Sequence, residues 1–218
     1  GQDAGTFGTF SFNATSGGWS YSLSNNAANV QALTAGQIVH DTLVVKSFDG
    51  SAQQMLAVAI VGTNEAAVIT GTATGAIAED GTLTAGGTLT VTDPDAGQNR
   101  LATPTSLAGI YGTYSLNTAT GVWGYTLDNT ATNVQALTAG QVVHDSLVVT
   151  SIDGTATKTI DVTISGNSDA PTAVTLTPVV TTIAENTVIN APVLIANIAV
   201  TDIDGGTNTL ALTGTDAA

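Results

Sequence analysis

The chain repeats itself, and this constrains its fold more than any other feature. Val30-Gln31-Ala32-Leu33-Thr34-Ala35-Gly36-Gln37 recurs unchanged as Val134 through Gln141, 104 residues later. At the same offset Phe7-Gly8-Thr9-Phe10 returns as Tyr111-Gly112-Thr113-Tyr114, and Trp19-Ser20-Tyr21 as Trp123-Gly124-Tyr125. His40-Asp41 returns as His144-Asp145, Asp49-Gly50 as Asp153-Gly154, and Gly62-Thr63-Asn64-Glu65-Ala66 as Gly166-Asn167-Ser168-Asp169-Ala170. A second match runs at a slightly longer offset. Ile77-Ala78-Glu79-Asp80 returns as Ile183-Ala184-Glu185-Asn186, and Val91-Thr92-Asp93-Pro94-Asp95 as Val200-Thr201-Asp202-Ile203-Asp204. Self-similarity at a fixed period marks tandem units. The phase predicts one complete unit over 67–170, the back part of a preceding unit over 1–66, and the front part of a following one over 171–218. Half-units standing alone carry open strand edges, so the expectation is a window from a longer array, or strands supplied by neighbouring copies.

Within a unit the pattern is that of strands. Apolar residues alternate with Thr or Ser in Thr88-Leu89-Thr90-Val91 and in Thr159-Ile160-Asp161-Val162-Thr163-Ile164, which suits half-buried antiparallel strands. The runs are short and separated by turn residues: Ser16-Gly17-Gly18, Asp49-Gly50, Ala85-Gly86-Gly87, Asp153-Gly154 and Gly205-Gly206. The stretch Ala27 to Gly36, with its copy Ala131 to Gly140, reads as a short turn or crossover. Many short strands in a unit of this size predict an all-β chain of tandem Ig/cadherin-like antiparallel β-sandwich repeats.

Charge narrows the partners. Among 218 residues there are 17 acids and 3 bases, a formal net charge of −14. Nucleic acid and anionic membranes are gripped by clustered Lys and Arg, so neither is expected as a partner. The chain has no cysteine, which excludes disulfides, thiolate metal sites and Cys nucleophiles. Its longest apolar run, Ala191 to Val200, is interrupted by Pro192 and Asn197 and is too short to span a bilayer. No signal peptide or lipidation motif opens it, so the expectation is a soluble segment rather than a whole secreted precursor.

Eleven of the 17 acids fall in recurrent turns or junctions: Asp49, Glu65, Glu79, Asp80, Asp93, Asp95, Asp153, Asp169, Glu185, Asp202 and Asp204. Asp and Asn are good turn formers, which is one account of them. The other is calcium, which takes six to eight oxygen ligands from carboxylates, amides and carbonyls and relieves the repulsion of clustered acids.

The segment Gly71 through Gly81 with Val91-Thr92-Asp93-Pro94-Asp95-Ala96-Gly97 resembles the opening of a VCBS repeat. Tyr111-Gly112-Thr113-Tyr114, Trp123 through Asn129, Val134-Gln135-Ala136-Leu137 and the close at Gly166 to Pro171 continue that pattern. The tail, with Ile183 through Thr187 and Val200 through Gly206, is similar to bacterial cadherin-like domains. The resemblance implies an extender of a large RTX-type bacterial surface adhesin, exported by a type I system and rigidified by Ca2+ between domains. By analogy with cadherins it assigns Asn64, Glu65, Asp93, Asp95 and Asp153 to a first junction. A second would use Glu79, Asn167, Asp169, Asp202 and Asp204. The expected function is a non-enzymatic extracellular stalk supporting adhesion or biofilm, its partners being neighbouring repeats of the same chain or a homopolymer. The alternatives are a filament subunit polymerising by strand exchange and a carbohydrate-binding module.

Other motifs invite chemistry and have plainer readings. His40-Asp41 and His144-Asp145 resemble acid/base pairs, but they open strand-like runs with no nucleophile beside them. Trp19 and Trp123, one per unit, are read as core rather than as sugar-stacking platforms. Lys46 and Lys158 do not align between copies, which argues against isopeptide crosslinks. Asp93-Pro94 has Asp202-Ile203 as its copy, which favours a loop over a cleavable bond. Asn13-Ala14-Thr15 is a single glycosylation sequon in a Thr-rich chain.

Overall fold

A computed structural model describes residues 2–186, 188, 191–205, 208–211 and 213. The back part of the first unit contributes β1 (Gln2–Ala4), β2 (Gly8–Phe12), β3 (Trp19–Leu23), the one-turn helix α1 (Ala28–Gln31), β4 (Ile38–Lys46) and β5 (Gln53–Val61). The middle of the chain forms β6 (Val68–Gly71), β7 (Thr74–Ala78), β8 (Thr84–Thr92), β9 (Gly112–Leu116), β10 (Val122–Leu127), α2 (Thr132–Gln135), β11 (Val142–Thr150) and β12 (Thr157–Ser165). Two further strands follow, β13 (Ala173–Pro178) and β14 (Ala196–Thr201).

The middle strands make a sandwich of a four-stranded sheet, ordered β6-β8-β10-β9, and a three-stranded sheet, ordered β11-β12-β7. Pairing is antiparallel except between β12 and β7, which run parallel with Ile164 opposite Ile77. Side chains alternate across each strand, so one face of each sheet supplies the core. On β12 the inward residues Ile160, Val162 and Ile164 are all fully buried, as are Tyr125 and Trp123 from β10 on the facing sheet. Burying an aliphatic side chain of this size contributes about 1.5–3 kcal/mol relative to leaving it in water, so this two-layer core is what holds the sandwich closed.

Both Asp-Gly pairs form hairpin turns, Asp49-Gly50 between β4 and β5 and Asp153-Gly154 between β11 and β12. Each glycine has positive φ, 72° and 79°. Ala85-Gly86-Gly87 differs from the turn its composition suggests, because it lies inside β8. A Cβ on Gly86 would stand 2.8 Å from the Trp123 carbonyl, and one on Gly87 would stand 2.9 Å from Trp123 Nε1. The glycines are there to admit the tryptophan, whose Nε1 then donates to the Thr72 carbonyl at 2.7 Å.

The acid of each His-Asp pair is a buried clamp. Asp145 accepts the backbone N–H of Ile110 at 2.8 Å and of Tyr111 at 2.9 Å, and the Tyr125 hydroxyl at 2.5 Å. Asp41 does the same for Thr6 at 2.8 Å, Phe7 at 2.9 Å and Tyr21 at 2.6 Å. Gly109 and Gly5 pack so closely on these carboxylates that neither position has room for a side chain. His144 turns away, its Nδ1 2.9 Å from Asp161 on the surface.

Strands β2 to β5 repeat the order of β9 to β12, each set with a one-turn helix before its last two strands. Phe10, Val30, Leu33 and Ile60 are buried, but among the described residues β3 ends its sheet where β8 flanks β10, and no strand lies beside β5 as β7 lies beside β12. Trp19 is 45% exposed against 2% for Trp123, which corrects the expectation that both tryptophans are core. The pair β13 and β14 matches β6 and β8 in register, Ala173 opposite Thr201 as Val68 is opposite Thr92. Val174, Leu176 and Ile198 on it are exposed.

Candidate metal centres at the two linkers

The first linker, between β5 and β6, runs against the loop that follows β8. The Asp93 N–H donates to Asn99 at 2.8 Å, and the Asp95 N–H donates to Asp93 Oδ1 at 2.8 Å, which curls Asp93-Pro94-Asp95 into a tight turn. Asp95 Oδ2 in turn accepts the Glu65 N–H at 3.1 Å, tying the linker to that turn. Asp93 and Asp95 are 5% and 0% exposed. Ala96 N–H donates to the Ala32 carbonyl at 3.2 Å, so the same loop also touches the end of α1.

Four oxygens here are buried with no hydrogen-bond donor: Asp93 Oδ2, Asp95 Oδ1, Glu65 Oε2 and Gln98 Oε1. An ionised carboxylate oxygen without a partner in such a place costs several kcal/mol, and the usual remedies are a proton, a donor or a cation. Gln98 was not singled out from the sequence. A neutral amide outside any repeated motif gives no signal until the folded loop buries its oxygen without a donor.

Asp153 sits differently from the other four first-junction candidates. Its Oδ1 accepts Ser151 Oγ at 2.5 Å and the Thr155 N–H at 3.2 Å; its Oδ2 accepts Thr155 Oγ1 at 2.5 Å and Asn64 Nδ2 at 3.0 Å. Burial pushes this carboxyl up, but the hydroxyl and amide donors outweigh it and hold it well below the usual carboxylate range. Asp153 therefore organises its turn and holds Asn64, while Thr155 Oγ1 accepts the Ala67 N–H at 2.8 Å.

The second linker, between β12 and β13, repeats the central bond. Asp204 Oδ2 accepts the Asp169 N–H at 3.1 Å, as Asp95 does for Glu65. Asp169 Oδ2, Asp202 Oδ1 and Asp204 Oδ1 are buried without donors. Glu79, at the end of β7 and 2% exposed, accepts the Asn167 N–H at 3.0 Å and Gln135 Nε2 at 3.3 Å. Asn167 is thus held through its backbone. Gly206 of the neighbouring glycine pair lies outside the described residues, as does Thr187.

Electrostatics at the second linker is that of crowded acids. Burial, then the charges of Asp80 and Asp204, push the Asp169 carboxyl up. Glu79 is pushed up by burial and further by Asp169, Asp80 and Asp204, against the pull of the Asn167 N–H. Asp204 foremost, with burial, pushes the Asp202 carboxyl up, while Asp202 helps to hold Asp204 below the usual carboxylate range, as expected of neighbouring carboxyls.

Among the described residues no three Asp, Glu or His side chains already converge as ligands of one ion. The case for a cation rests on the donor chemistry. Every unpartnered atom at both linkers is an oxygen, nearly all are carboxylate, and none is nitrogen or sulfur, the set that suits a hard ion such as Ca2+. Glu65, Asp93 and Asp95 would hold it at the first linker, and Asp169, Asp202 and Asp204 at the second.

No protein-family model and no curated protein matches the chain. Solved structures with a similar fold include one described as PcdhgB3 EC1-4, at 14% identity and a TM-score of 0.43, covering 94% of this chain and 50% of that one. Another is protocadherin gamma B7 extracellular cadherin domains 1-4, at 15% identity and a TM-score of 0.42, again covering 94% and 50%. A third, the protocadherin gamma B4 extracellular domain, has 15% identity and a TM-score of 0.41, covering 94% and 32%. The chain thus spans about half the length of the first two. At these TM-scores the likeness carries no argument of its own. No helix among the described residues is long and apolar enough to cross a membrane.

Proposed function

We propose that this chain is a non-enzymatic, extracellular structural repeat, a stalk segment of a bacterial surface adhesin of the VCBS and cadherin-like kind, secreted by a type I system. Calcium stiffens its junctions. One observation carries the reading: donor-less, buried carboxylate oxygens recur at equivalent positions of two linkers, each beside the same backbone bond, Glu65 N–H to Asp95 and Asp169 N–H to Asp204. A cation there neutralises acids contributed by the linker and by the loop of the next unit. Removing it restores repulsion across the joint, so a rod becomes a flexible string. Adjacent repeats are the natural partners of such a segment.

Thermal unfolding with millimolar calcium, and again with a chelator, tests this. Calcium should raise the melting temperature by several degrees, because an ion bound only by the folded state stabilises it by mass action. The double variant Asp93→Ala/Asp95→Ala should lose much of that rise. Superimposable curves with and without calcium would mean that the Asp-x-Asp loops are plain turns.

A second reading is strand complementation between copies in a filament, in which an edge strand of one copy is paired by another. Mass measured without denaturant over a range of concentrations separates the two readings. A stalk segment stays monomeric, whereas complementation gives a concentration-dependent ladder.

A further inference from the structure

The acids beside the linkers are of two kinds. Glu65, Asp93, Asp95, Asp169, Asp202 and Asp204 each have a buried oxygen with no donor. Glu79 and Asp153 have none, because protein donors take both oxygens of each. A carboxylate offers about four acceptor positions. Asp153 fills them with neutral donors: the Ser151 and Thr155 hydroxyls, the Thr155 N–H and Asn64 Nδ2. Asp49 makes the equivalent turn with Ser47 Oγ at 2.6 Å and the Ser51 N–H at 3.1 Å. The bond from Asn64 is therefore additional to what such a turn needs.

Both filled acids belong to the middle sandwich, at opposite ends of β12. Asp153 lies in the turn that leads into β12, and the Glu79 N–H donates to the carbonyl of Ser165, its last residue, at 3.0 Å. At the first end Asp153 takes Asn64 at 3.0 Å, and Thr155 Oγ1 takes the Ala67 N–H at 2.8 Å, so the preceding linker is caught twice. At the other end Glu79 Oε2 takes the Asn167 N–H of the following linker at 3.0 Å. Glu79 is itself steadied from the α2 loop, where Gln135 Nε2 donates to it at 3.3 Å and to the Asn129 carbonyl at 2.9 Å. Asn129 in turn brackets the next residue, accepting the Asp80 N–H at 3.0 Å and donating to Asp80 Oδ1 at 2.6 Å. Gln31 makes the same bond to the Asn25 carbonyl at 2.9 Å, so the direction of this glutamine is built into the repeated turn.

We infer that Glu79 and Asp153 are positioning residues that fasten the two linkers to the middle sandwich without metal, and that the open acids alone take the ion. Only the second half of this rests on the proposed calcium reading. Asn64 immediately precedes Glu65, and Asn167 stands two residues before Asp169, so each fastened residue sets the start of a linker's open acid. A ligand already in place spares the ordering that binding would otherwise require. Removing calcium then loosens the joint between units while Asn64, Ala67 and Asn167 stay docked.

Amide hydrogen exchange of the whole chain in chelator, read residue by residue by NMR, tests it. The Ala67 and Asn167 N–H groups should exchange at least about tenfold more slowly than unstructured amides. Glu79→Gln keeps an acceptor oxygen and should keep the Asn167 protection, whereas Glu79→Ala should abolish it. Thr155→Val should abolish that of Ala67, and Asp153→Ala that of the Asn64 side-chain amide. Calcium titration gives the second readout. Glu79→Gln should bind calcium within about threefold of the native chain, whereas Asp204→Asn, losing a charged ligand, should bind about tenfold or more weakly. Free exchange of Ala67 and Asn167 in the native chain, or a loss of about tenfold in Glu79→Gln, would overturn the inference and leave the calcium reading standing. Protected amides in a chain that binds no calcium would overturn that reading and leave the two fastenings in place.

Discussion

Trp123 and Trp19 occupy the same place in two copies of one sequence pattern, yet one is 2% and the other 45% exposed. The difference lies in what surrounds them. Trp123 is backed by Gly86 and Gly87 of β8, and its indole reaches Gly75 of β7 and the Thr72 carbonyl. Around Trp19 no corresponding strands stand within the described residues, so its nearest aromatic partner is Phe10, at a centroid distance of 6.4 Å. The same contrast runs along the facing strands. Ile160, Val162 and Ile164 of β12 are fully buried between β11 and β7, while of their counterparts on β5 Leu56 and Val58 remain half-exposed and only Ile60 is buried. Similar local sequence thus forms the same hairpins in both places, but among the described residues only the region with seven strands has a two-layer core. Local patterning makes strands; burial depends on which other strands arrive.

The largest expected effect tests that contrast. Trp123→Ala removes a fully buried ring and its hydrogen bond and should cost about 3–5 kcal/mol in urea unfolding. Trp19→Ala should cost less than about 1.5 kcal/mol, because much of its surface is already in water. Equal losses would break the comparison and show that the first unit is closed by other strands in solution.

The clamps give a smaller and sharper version. Asp145→Ala strips three hydrogen bonds from a buried carboxylate and should destabilise the middle sandwich by about 3 kcal/mol, with Asp41→Ala costing the first unit less. The first-unit clamp also predicts a pH dependence. Burial pushes Asp41 up, but the Tyr21 hydroxyl and the Phe7 and Thr6 amides prevail and hold it below its ordinary 3.8. A lowered folded-state pKa contributes stability above that ordinary value and loses it as pH falls through the folded one. Tyr21 is pushed up from 10.0 to about 12 by burial and then by Asp41. Its contribution is present below pH 10 and is lost as pH rises towards 12. Unfolding curves of the Asp41→Asn variant should therefore be flatter than native ones at both extremes, and parallel curves would argue against the clamp.

Much of this was legible in the residues. The repeat offset, the Thr/Val alternation and the Asp-Gly turns lead directly to hairpins, since all three act over a few neighbouring residues. Asp93, Asp95, Asp202 and Asp204 stood out because acids are scarce and these recur. Other features were not legible. Gly86-Gly87 has the composition of a turn and lies in a strand, because the reason for it is a tryptophan about 36 residues further on. Asp153 reads like a free carboxylate, but Ser151, Thr155 and Asn64 fill its oxygens. Gln98 belongs to no repeated motif, and only the folded loop buries its oxygen without a donor.

The sequence by itself determined the strands, their turns and the periodic return of acids, because backbone preference and side-chain alternation are short-range. Only the tertiary structure decided that β7 runs parallel beside β12, that Trp123 is covered while Trp19 is not, and that Asn129 holds Asp80. Each of these depends on segments distant along the chain meeting at one place. The contact then sets burial and charge, which no residue specifies alone.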